Sequence, residues 1–243
     1  MGTRTLCVPE TLLMIAESIL APANWRKALS APDRSALAEA GWLHIRAAAD
    51  ESALAAMREA WARRLEAPPV TPRGNNDGPD GLGQEPAFRV CLEHPYVMGA
   101  VAEILGGDVN LLGFRGRDPR RGSGQQGFHV DFAEPVPADR QQIANAFWLL
   151  DDMDEANGAT RLVPGTHRMG RHPSKSLTQR DARHPDARQI SARAGDVIVF
   201  SAHLWHAGSQ NLSGAPRRIA MAHFGRSGLA RHYEAGNYGR PAT

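Results

Sequence analysis

Cysteine and lysine are scarce in this chain, and each shortage excludes a class of protein. Cysteine occurs only at Cys7 and Cys91 among 243 residues, so neither a disulfide framework nor a thiolate metal cage can form. Lysine occurs only at Lys27 and Lys175, and arginine therefore carries almost all of the positive charge. The 28 basic residues nearly balance the 26 acidic ones, which argues against a dedicated nucleic-acid-binding protein.

The sequence also lacks a long apolar run. A membrane span requires roughly 18 apolar residues, and the strongest N-terminal run, TLLMIAESIL, is short and interrupted by Glu17. That run has no small-residue cleavage site of the kind that ends a signal peptide. We therefore expect no membrane association, and the low cysteine content favours a reducing, cytoplasmic location.

The N-terminal part of the chain has the pattern of helices. Residues 1–29 are apolar and predict a helical lead, and SAPDRSALAEAGWLHI then begins with N-cap chemistry at Ser30 or Asp33 and continues in helical spacing through Trp42. HPYVMGAVAEILGG predicts a short helix that ends at Gly106.

The clearest helix is DESALAAMREAWARRLEA, which Asp50 or Ser52 can cap. Its apolar side chains form one stripe at helical spacing, namely Leu54, Met57, Trp61 and Leu65. Proline, glycine and asparagine fill residues 68–86, which predicts a loop after this helix. We interpret this loop as a mobile lid over a small-molecule substrate.

The second half of the chain has the pattern of a β structure. Short apolar or alternating runs are separated by Gly, Pro, Asn and Asp; these runs are VNLLGFRGR, GFHVDF, QIANAFWLLDD, TRLVPGTH, ARQISAR, GDVIVFSAHLWHAGS and RRIAMAHFGR. About seven strands with turns between them indicate an antiparallel sandwich or barrel.

The run GFHVDF contains a candidate metal-binding pair. His129 and Asp131 are two residues apart, so on a strand both side chains point to one face. An imidazole and a carboxylate at this spacing can bind one divalent metal, and a second imidazole completes a 2-His-1-carboxylate triad. A second copy of the spacing, His184 and Asp186, lies in a polar segment with Pro185 between the two residues, which favours a turn.

A later strand offers the third ligand and a cation. His203 and His206 both follow the predicted strand at residues 197–200, and PRRIAMAHF then begins another strand with arginine. A hairpin of this kind brings an arginine beside the histidine, where a guanidinium can bind the far end of a dicarboxylate.

The order of these motifs, from H-x-D through FWLLDDMDEANGATRLVPGTHR to GDVIVFSAHLWHAGSQNLSGAPRR, closely resembles the phytanoyl-CoA dioxygenase family of iron(II)- and 2-oxoglutarate-dependent oxygenases. In that family a distal histidine is followed by H-x(4)-N-x-S-x(3)-R. His206, Asn211, Ser213 and Arg217 match this pattern, whereas counting from His203 gives no comparable match.

The resemblance covers roughly residues 108–225 and implies a mainly β fold with N-terminal helices (α+β). The implied architecture is a double-stranded β-helix, a cupin-type jelly roll, with the helices buttressing one sheet. We expect a single domain over 1–243, with a mostly helical part at 1–107, the jelly-roll core at 108–225 and a tail at 226–243.

The resemblance also implies the site residues. His129, Asp131 and His206 would bind Fe(II), with 2-oxoglutarate and O2 as cosubstrates, and Arg217 would bind the far carboxylate of 2-oxoglutarate. Strand alternation points Arg218 to the other face. The resemblance further implies that Trp148 and the hydroxyl of Ser209 contact the cosubstrate. For Trp148, packing in the core is the alternative.

The aspartate carries information about the reaction. Related halogenases have a small residue in its place, so the presence of Asp131 favours hydroxylation or another oxidation of a small molecule, of the kind found in bacterial secondary metabolism.

The arginines at 115–121 are either a solvated loop or a rim that attracts an anionic substrate. Two alternatives stay open, namely a metal-dependent cupin-fold enzyme that does not use 2-oxoglutarate, and a non-catalytic binding protein on the same scaffold.

Overall fold

The computed structural model describes residues 25–67, 78–107 and 109–226, together with residue 229. Most of the helical lead predicted at residues 1–29, and nearly all of the tail predicted at 226–243, therefore lie outside the described residues. Of the lead, Trp25–Ala28 forms a single 3-10 turn.

Four α-helices lie in the described residues of the N-terminal part. These are α1 (Ala31–Ala40), α2 (Glu51–Glu66), α3 (Val90–Glu93) and α4 (Pro95–Leu105). The side chain of Ser30 caps α1, and Asp50 caps α2 by accepting a 2.8 Å hydrogen bond from the amide of Ala53. Each cap satisfies an amide at the open start of its helix. None of the described helices is long and apolar enough to cross a membrane.

The predicted continuation of α1 through Trp42 is wrong. Gly41 adopts the left-handed conformation with φ 82° and ends the helix, because a glycine has no Cβ to oppose that conformation. The next residues form strand β1 (Trp42–Ile45), which pairs antiparallel with the strand Val197–Ser201. The N-terminal part thus supplies an edge strand as well as helices.

Two antiparallel sheets form the rest of the fold and confirm the predicted jelly roll. The larger sheet has the order β1-β6-β3-β8-β2, in which the other strands are β2 (Asn110–Arg117), β3 (Ile143–Leu149), β6 (Val197–Ser201) and β8 (Ile219–Gly225). The smaller sheet has the order β5-β4-β7, formed by β4 (Thr160–Leu162), β5 (Arg188–Gln189) and β7 (His206–Gly208).

Alternation along β3 divides the core into two layers. Ala144, Ala146 and Trp148 belong to the cluster that packs against the helices, whereas Phe147 and Leu149 belong to the cluster on the other face of the sheet. Successive side chains of a strand point to opposite faces, so one strand serves both layers. The helices therefore cover one face of the larger sheet, as predicted, and the other face is left to line the interior of the jelly roll.

Part of the predicted 68–86 loop packs into the core. Leu82 lies in a 3-10 turn of this segment and is fully buried. Just beyond the segment, Phe88 is also fully buried, and its ring packs edge-on against Phe114 of β2 at 5.6 Å. Residues 68–77 lie outside the described residues. The lid interpretation is therefore wrong for this buried second part of the segment.

Candidate active site

Three side chains from two separate parts of the chain converge on one point. One ligand atom from each of His129, Asp131 and His206 lies within 4.8 Å of the others. Nε2 of His129 is 3.7 Å from Oδ1 of Asp131, and Nε2 of His206 is 3.3 Å from Oδ2. Ligands in neighbouring positions on one divalent ion lie roughly 3 Å apart, so these spacings fit a shared metal.

The backbone determines where the two imidazoles point. The segment predicted as strand GFHVDF forms only an isolated antiparallel bridge, in which His129 and His206 exchange backbone hydrogen bonds of 2.9 and 3.0 Å. Nδ1 of His129 lies 3.0 Å from the carbonyl of Gly127, and Nδ1 of His206 lies 2.9 Å from the carbonyl of Leu204. A carbonyl can only accept, so each Nδ1 carries the proton and each Nε2 presents a lone pair to the site.

Asp131 is held from two sides. Its backbone amide donates to the carbonyl of Ala202 at 2.9 Å, and its Oδ2 accepts a 2.7 Å hydrogen bond from Nδ2 of Asn145. Burial by itself raises the pKa of Asp131, but the neighbouring His206 and His129 outweigh burial and hold that pKa well below its usual range. The carboxylate is therefore ionised, as a metal ligand must be.

The two ligand imidazoles differ in their pKa. Burial and the charge of His206 lower the pKa of His129 to about 4. Burial also opposes protonation of His206, but Asp131 attracts its proton strongly enough to raise the pKa of that ring. In the absence of a metal, the two rings therefore differ in how readily they take up a proton, which a metal ion would have to displace.

The donor set fits a divalent transition metal. Two neutral imidazole nitrogens and one carboxylate oxygen on one face are the ligands of the iron(II) facial triad, which leaves coordination positions for small ligands. These residues line one cavity of about 270 Å³ that also reaches Arg117, Thr160 and Arg217. The space needed by ligands on the open face is therefore present.

The structure separates the two competing candidates from this group. Nε2 of His203 accepts a 3.0 Å hydrogen bond from the backbone amide of Gln142, so its lone pair is occupied, while His206 joins the triad. The second H-x-D copy is a loop in which Nδ1 of His184 lies 4.0 Å from an Asp186 side chain that is 80% exposed. Among the described residues it recruits no third ligand.

Arg217 is a buried cation beside the triad. Its residue surface is 1% exposed, and its Nε and Nη2 have no hydrogen-bond partner among the described residues. Burial and the nearby Arg117 lower the pKa of this guanidinium to about 9, so it is charged at neutral pH. A buried cation with free donors requires an anionic partner, and a carboxylate in the cavity would supply one.

Arg218 points the other way, as alternation predicts. Its Nε and Nη2 donate to the two carboxylate oxygens of Asp151 at 2.8 and 2.7 Å. One neighbouring pair of arginines therefore has two different surroundings, with Arg217 facing the cavity and Arg218 paired with Asp151.

Two residues expected at the cosubstrate are not brought to this site. Trp148 lies on the helix-facing side of β3, and its ring is 5.9 Å from that of His94. This is the core packing that the sequence left open as the alternative. Phe147, the preceding residue on β3, lines the cavity instead. The hydroxyl of Ser209 accepts a 3.3 Å hydrogen bond from Gln189 and does not line the cavity.

The predicted arginine cluster at 115–121 divides between the cavity and the solvent. Arg115 and Arg117 lie on β2 and line the cavity, so the prediction that they belong to a solvated loop is wrong for these two. Arg120 and Arg121 lie in an exposed turn. Charge alone could not predict which arginines face the cavity. The alternation RGR at the end of the predicted strand does predict that Arg115 and Arg117 point to the same face.

Sequence reasoning missed Asn145, whose amide connects the metal triad to β8. Its Oδ1 lies 2.7 Å from Nδ1 of His223, and its Nδ2 contacts Asp131. Alternation along QIANAFWLL places Asn145 on the same face as Phe147 and would have shown a polar side chain among interior positions.

Fold and site together define a double-stranded β-helix protein with a 2-His-1-carboxylate group and a buried arginine in one cavity. The chain belongs to the family described as phytanoyl-CoA dioxygenase (PhyH), whose family model matches residues 37–219. The resemblance found in the motifs is thereby confirmed.

Several relatives and solved structures are similar to this chain. The chain is 28% identical over 140 residues to a dioxygenase named af480 from Aspergillus fumigatus and 28% identical over 161 residues to an ectoine dioxygenase from Bordetella parapertussis. These matches cover 56% and 54% of this chain, but only 44% and 51% of the relatives' lengths. HygX from Streptomyces hygroscopicus, solved with nickel and 2-oxoglutarate bound, is similar in fold with a TM-score of 0.68 at 17% identity, over 82% of this chain and 88% of HygX.

Proposed function

We propose that this protein is an Fe(II)- and 2-oxoglutarate-dependent oxygenase that hydroxylates or otherwise oxidises a small molecule. The observation that carries the proposal is the presence, in one cavity, of the His129, Asp131 and His206 ligand atoms within 4.8 Å of one another and of the buried guanidinium of Arg217. Family membership and the intact aspartate support the same activity.

Each residue has a distinct task in this proposal. His129, Asp131 and His206 would hold the iron on one face, and Arg217 would bind the far carboxylate of 2-oxoglutarate through its free Nε and Nη2 donors. When bound, iron and 2-oxoglutarate supply the activation of O2 that protein side chains lack. The protein orients the reactants and limits the access of water to the cavity.

We further propose that the substrate is a small anionic molecule. Arg115 and Arg117 add positive charge to the cavity beside Arg217, and such a field attracts anions. HygX, which is similar in fold, has been solved with nickel, 2-oxoglutarate and hygromycin B bound, and this supports a small-molecule substrate. The cytoplasmic location and a place in secondary metabolism also remain proposals.

Metal and cosubstrate binding test the proposal without knowledge of the substrate. Calorimetry under nitrogen should show one site for Ni²⁺ and, in the Ni²⁺-loaded protein, one site for 2-oxoglutarate. His206→Ala and Asp131→Ala should abolish Ni²⁺ binding. The matched controls are His184→Ala and Asp186→Ala in the second H-x-D copy, which should bind as the wild type does.

The same measurements separate the two alternatives. A protein that binds Ni²⁺ but not 2-oxoglutarate would be a cupin-fold enzyme with another cosubstrate. A protein that binds neither would be a non-catalytic relative. With Fe(II) and O2, the proposed activity predicts slow conversion of 2-oxoglutarate to succinate without substrate and faster conversion when a substrate is present.

A further inference from the structure

His223 is a buried histidine that no metal-binding role explains. It lies on β8, is 6% exposed, and is not part of the group formed by His129, Asp131 and His206. Its Nδ1 is 2.7 Å from Oδ1 of Asn145, whereas its Nε2 has no hydrogen-bond partner among the described residues. Its ring lines the metal cavity and also a second cavity of about 400 Å³.

The hydrogen bonds around Asn145 determine which nitrogen of His223 carries the proton. The ionised carboxylate of Asp131 can only accept, so Asn145 must turn its Nδ2 toward Asp131 and its Oδ1 toward His223. An amide oxygen can only accept, and Nδ1 of His223 must therefore donate. In the neutral ring this leaves Nε2 as a bare acceptor, and a buried acceptor without a partner is rare in a native protein.

The surroundings of the His223 ring leave room for a ligand. Gly113 of β2 is the cross-strand partner of His223, and a Cβ added at Gly113 would meet nothing within 4 Å. The strand thus places no side chain opposite the imidazole. Phe132 and His172 form other parts of the wall of the 400 Å³ cavity, and Asp131 connects it to the metal triad.

Arg115 places a positive charge in the same cavity. It lies two residues beyond Gly113 on β2, and therefore on the same face of the sheet as His223. A diagonal pair of this kind on neighbouring strands is separated by about 7–8 Å, which a short molecule can span. The cavity is therefore bordered by a cation and by the His223 acceptor, about 7–8 Å apart and next to the metal ligands.

We propose that the 400 Å³ cavity is the substrate subsite, and that it binds an anionic small molecule whose hydroxyl or amine donates a hydrogen bond to Nε2 of His223 while its acidic group faces Arg115. The substrate class is then a hydroxy acid, an amino acid or a related phosphorylated compound. The inference rests on the proposed function, because a substrate subsite beside the triad has a role only if the triad holds the catalytic metal. His223 is in this account a specificity-determining residue.

The proton position on His223 can be measured without any ligand. In protein with ¹⁵N-labelled histidine and Zn²⁺ in place of iron, the ring nitrogens should show a protonated Nδ1 and a bare Nε2 for His223. Asn145→Leu, which removes the acceptor, should shift the ring toward the Nε2-protonated form. A wild-type ring protonated at Nε2 would overturn the inference, because no acceptor would then face the substrate.

Binding of paired probes tests the substrate class. With Zn²⁺ bound and 2-oxoglutarate in excess, 3-hydroxybutyrate, 4-hydroxybutyrate and 5-hydroxypentanoate are compared with butyrate and pentanoate. At least one hydroxy acid should bind about tenfold more tightly than its parent acid, as expected for one well-formed hydrogen bond. His223→Phe, which keeps a ring and removes the acceptor, should equalise the pair, and Arg115→Leu should weaken both members.

The outcomes of these experiments are separable from those of the proposed function. Equal affinities within every pair, in wild-type protein that binds Zn²⁺ and 2-oxoglutarate, would overturn the subsite and leave the oxygenase proposal standing. Protein that binds no metal would overturn the oxygenase proposal. If His223→Phe does not fold, Gly113→Leu replaces it, since a side chain beside the imidazole should abolish the preference for hydroxy acids.

Discussion

Nδ2 of Asn145 donates a 2.7 Å hydrogen bond to Oδ2 of Asp131, and this buried amide is therefore part of the support of the proposed metal site. Partners outside the ligand set orient metal ligands and commonly change metal affinity by about 10–100-fold. The contact leads to the first prediction, which concerns a residue that does not touch the metal.

Asn145→Leu should weaken Ni²⁺ binding by about 10–100-fold, because Asp131 loses the donor that holds its carboxylate. Calorimetric titration of the metal-free protein measures this directly. The control is Asn157→Ala, which removes a buried asparagine from the turn where its Nδ2 donates to the carbonyl of Asp152. That variant should lose stability but keep its metal affinity; an unchanged affinity in Asn145→Leu would contradict the assigned role.

Arg217→Leu should abolish measurable 2-oxoglutarate binding, whereas Arg218→Leu should retain it. Two charge-assisted hydrogen bonds from Arg217 contribute about 1.5–3 kcal/mol each, enough to reduce the affinity at least a hundredfold. Arg218 instead pairs with Asp151 on the other face, so its loss should lower the free energy of unfolding by about 1–3 kcal/mol. Calorimetry of the Ni²⁺-loaded variants and urea unfolding distinguish the two effects. If the two variants bound 2-oxoglutarate with equal affinity, the role of Arg217 would be refuted.

Acid should destabilise the fold through His203. Burial lowers the pKa of His203 to about 4 from the ordinary histidine value of 6.5, so the unfolded chain takes up the proton first as the pH falls. The contribution is therefore complete above pH 6.5 and is lost progressively toward pH 4.

His203→Gln offers an acceptor for the amide of Gln142 and removes the titration. Between these pH values its free energy of unfolding should depend less on pH, by up to about 1.4 kcal/mol per pH unit. Urea unfolding at several pH values measures the slope. If the free energy of unfolding had the same pH dependence in the variant and the wild type, His203 would bind its proton equally well in the folded and unfolded states.

Gly127→Ala should disturb the metal site through the backbone. A Cβ at Gly127 would lie 2.0 Å from the carbonyl oxygen of Thr178, so the two segments must separate, at a cost of about 1–3 kcal/mol in stability. The carbonyl of Gly127 also orients His129, and metal affinity should fall as well. Gly113→Ala is the control, since a Cβ there meets nothing within 4 Å, and both properties should remain close to those of the wild type.

The sequence by itself determined the local elements and the order of the motifs. A cap at Ser30 or Asp33, a cap at Asp50 or Ser52, helical spacing in α2 and alternation in the later strands are short-range signals, because propensity, capping and periodicity act within a few residues. The spacing of His206 and Arg217 likewise lies within one predicted hairpin, and could therefore be matched to a family pattern.

Only the tertiary structure decided which polar side chains share a cavity. Trp42 continued a helical pattern but pairs with Phe200 in the large sheet, and Trp148 carried a plausible cosubstrate contact but faces the helices. The link from Asp131 through Asn145 to His223 joins segments far apart in the chain. Such relationships depend on strand register and on which sheet face is covered, and both are determined by long-range packing that local patterns do not encode.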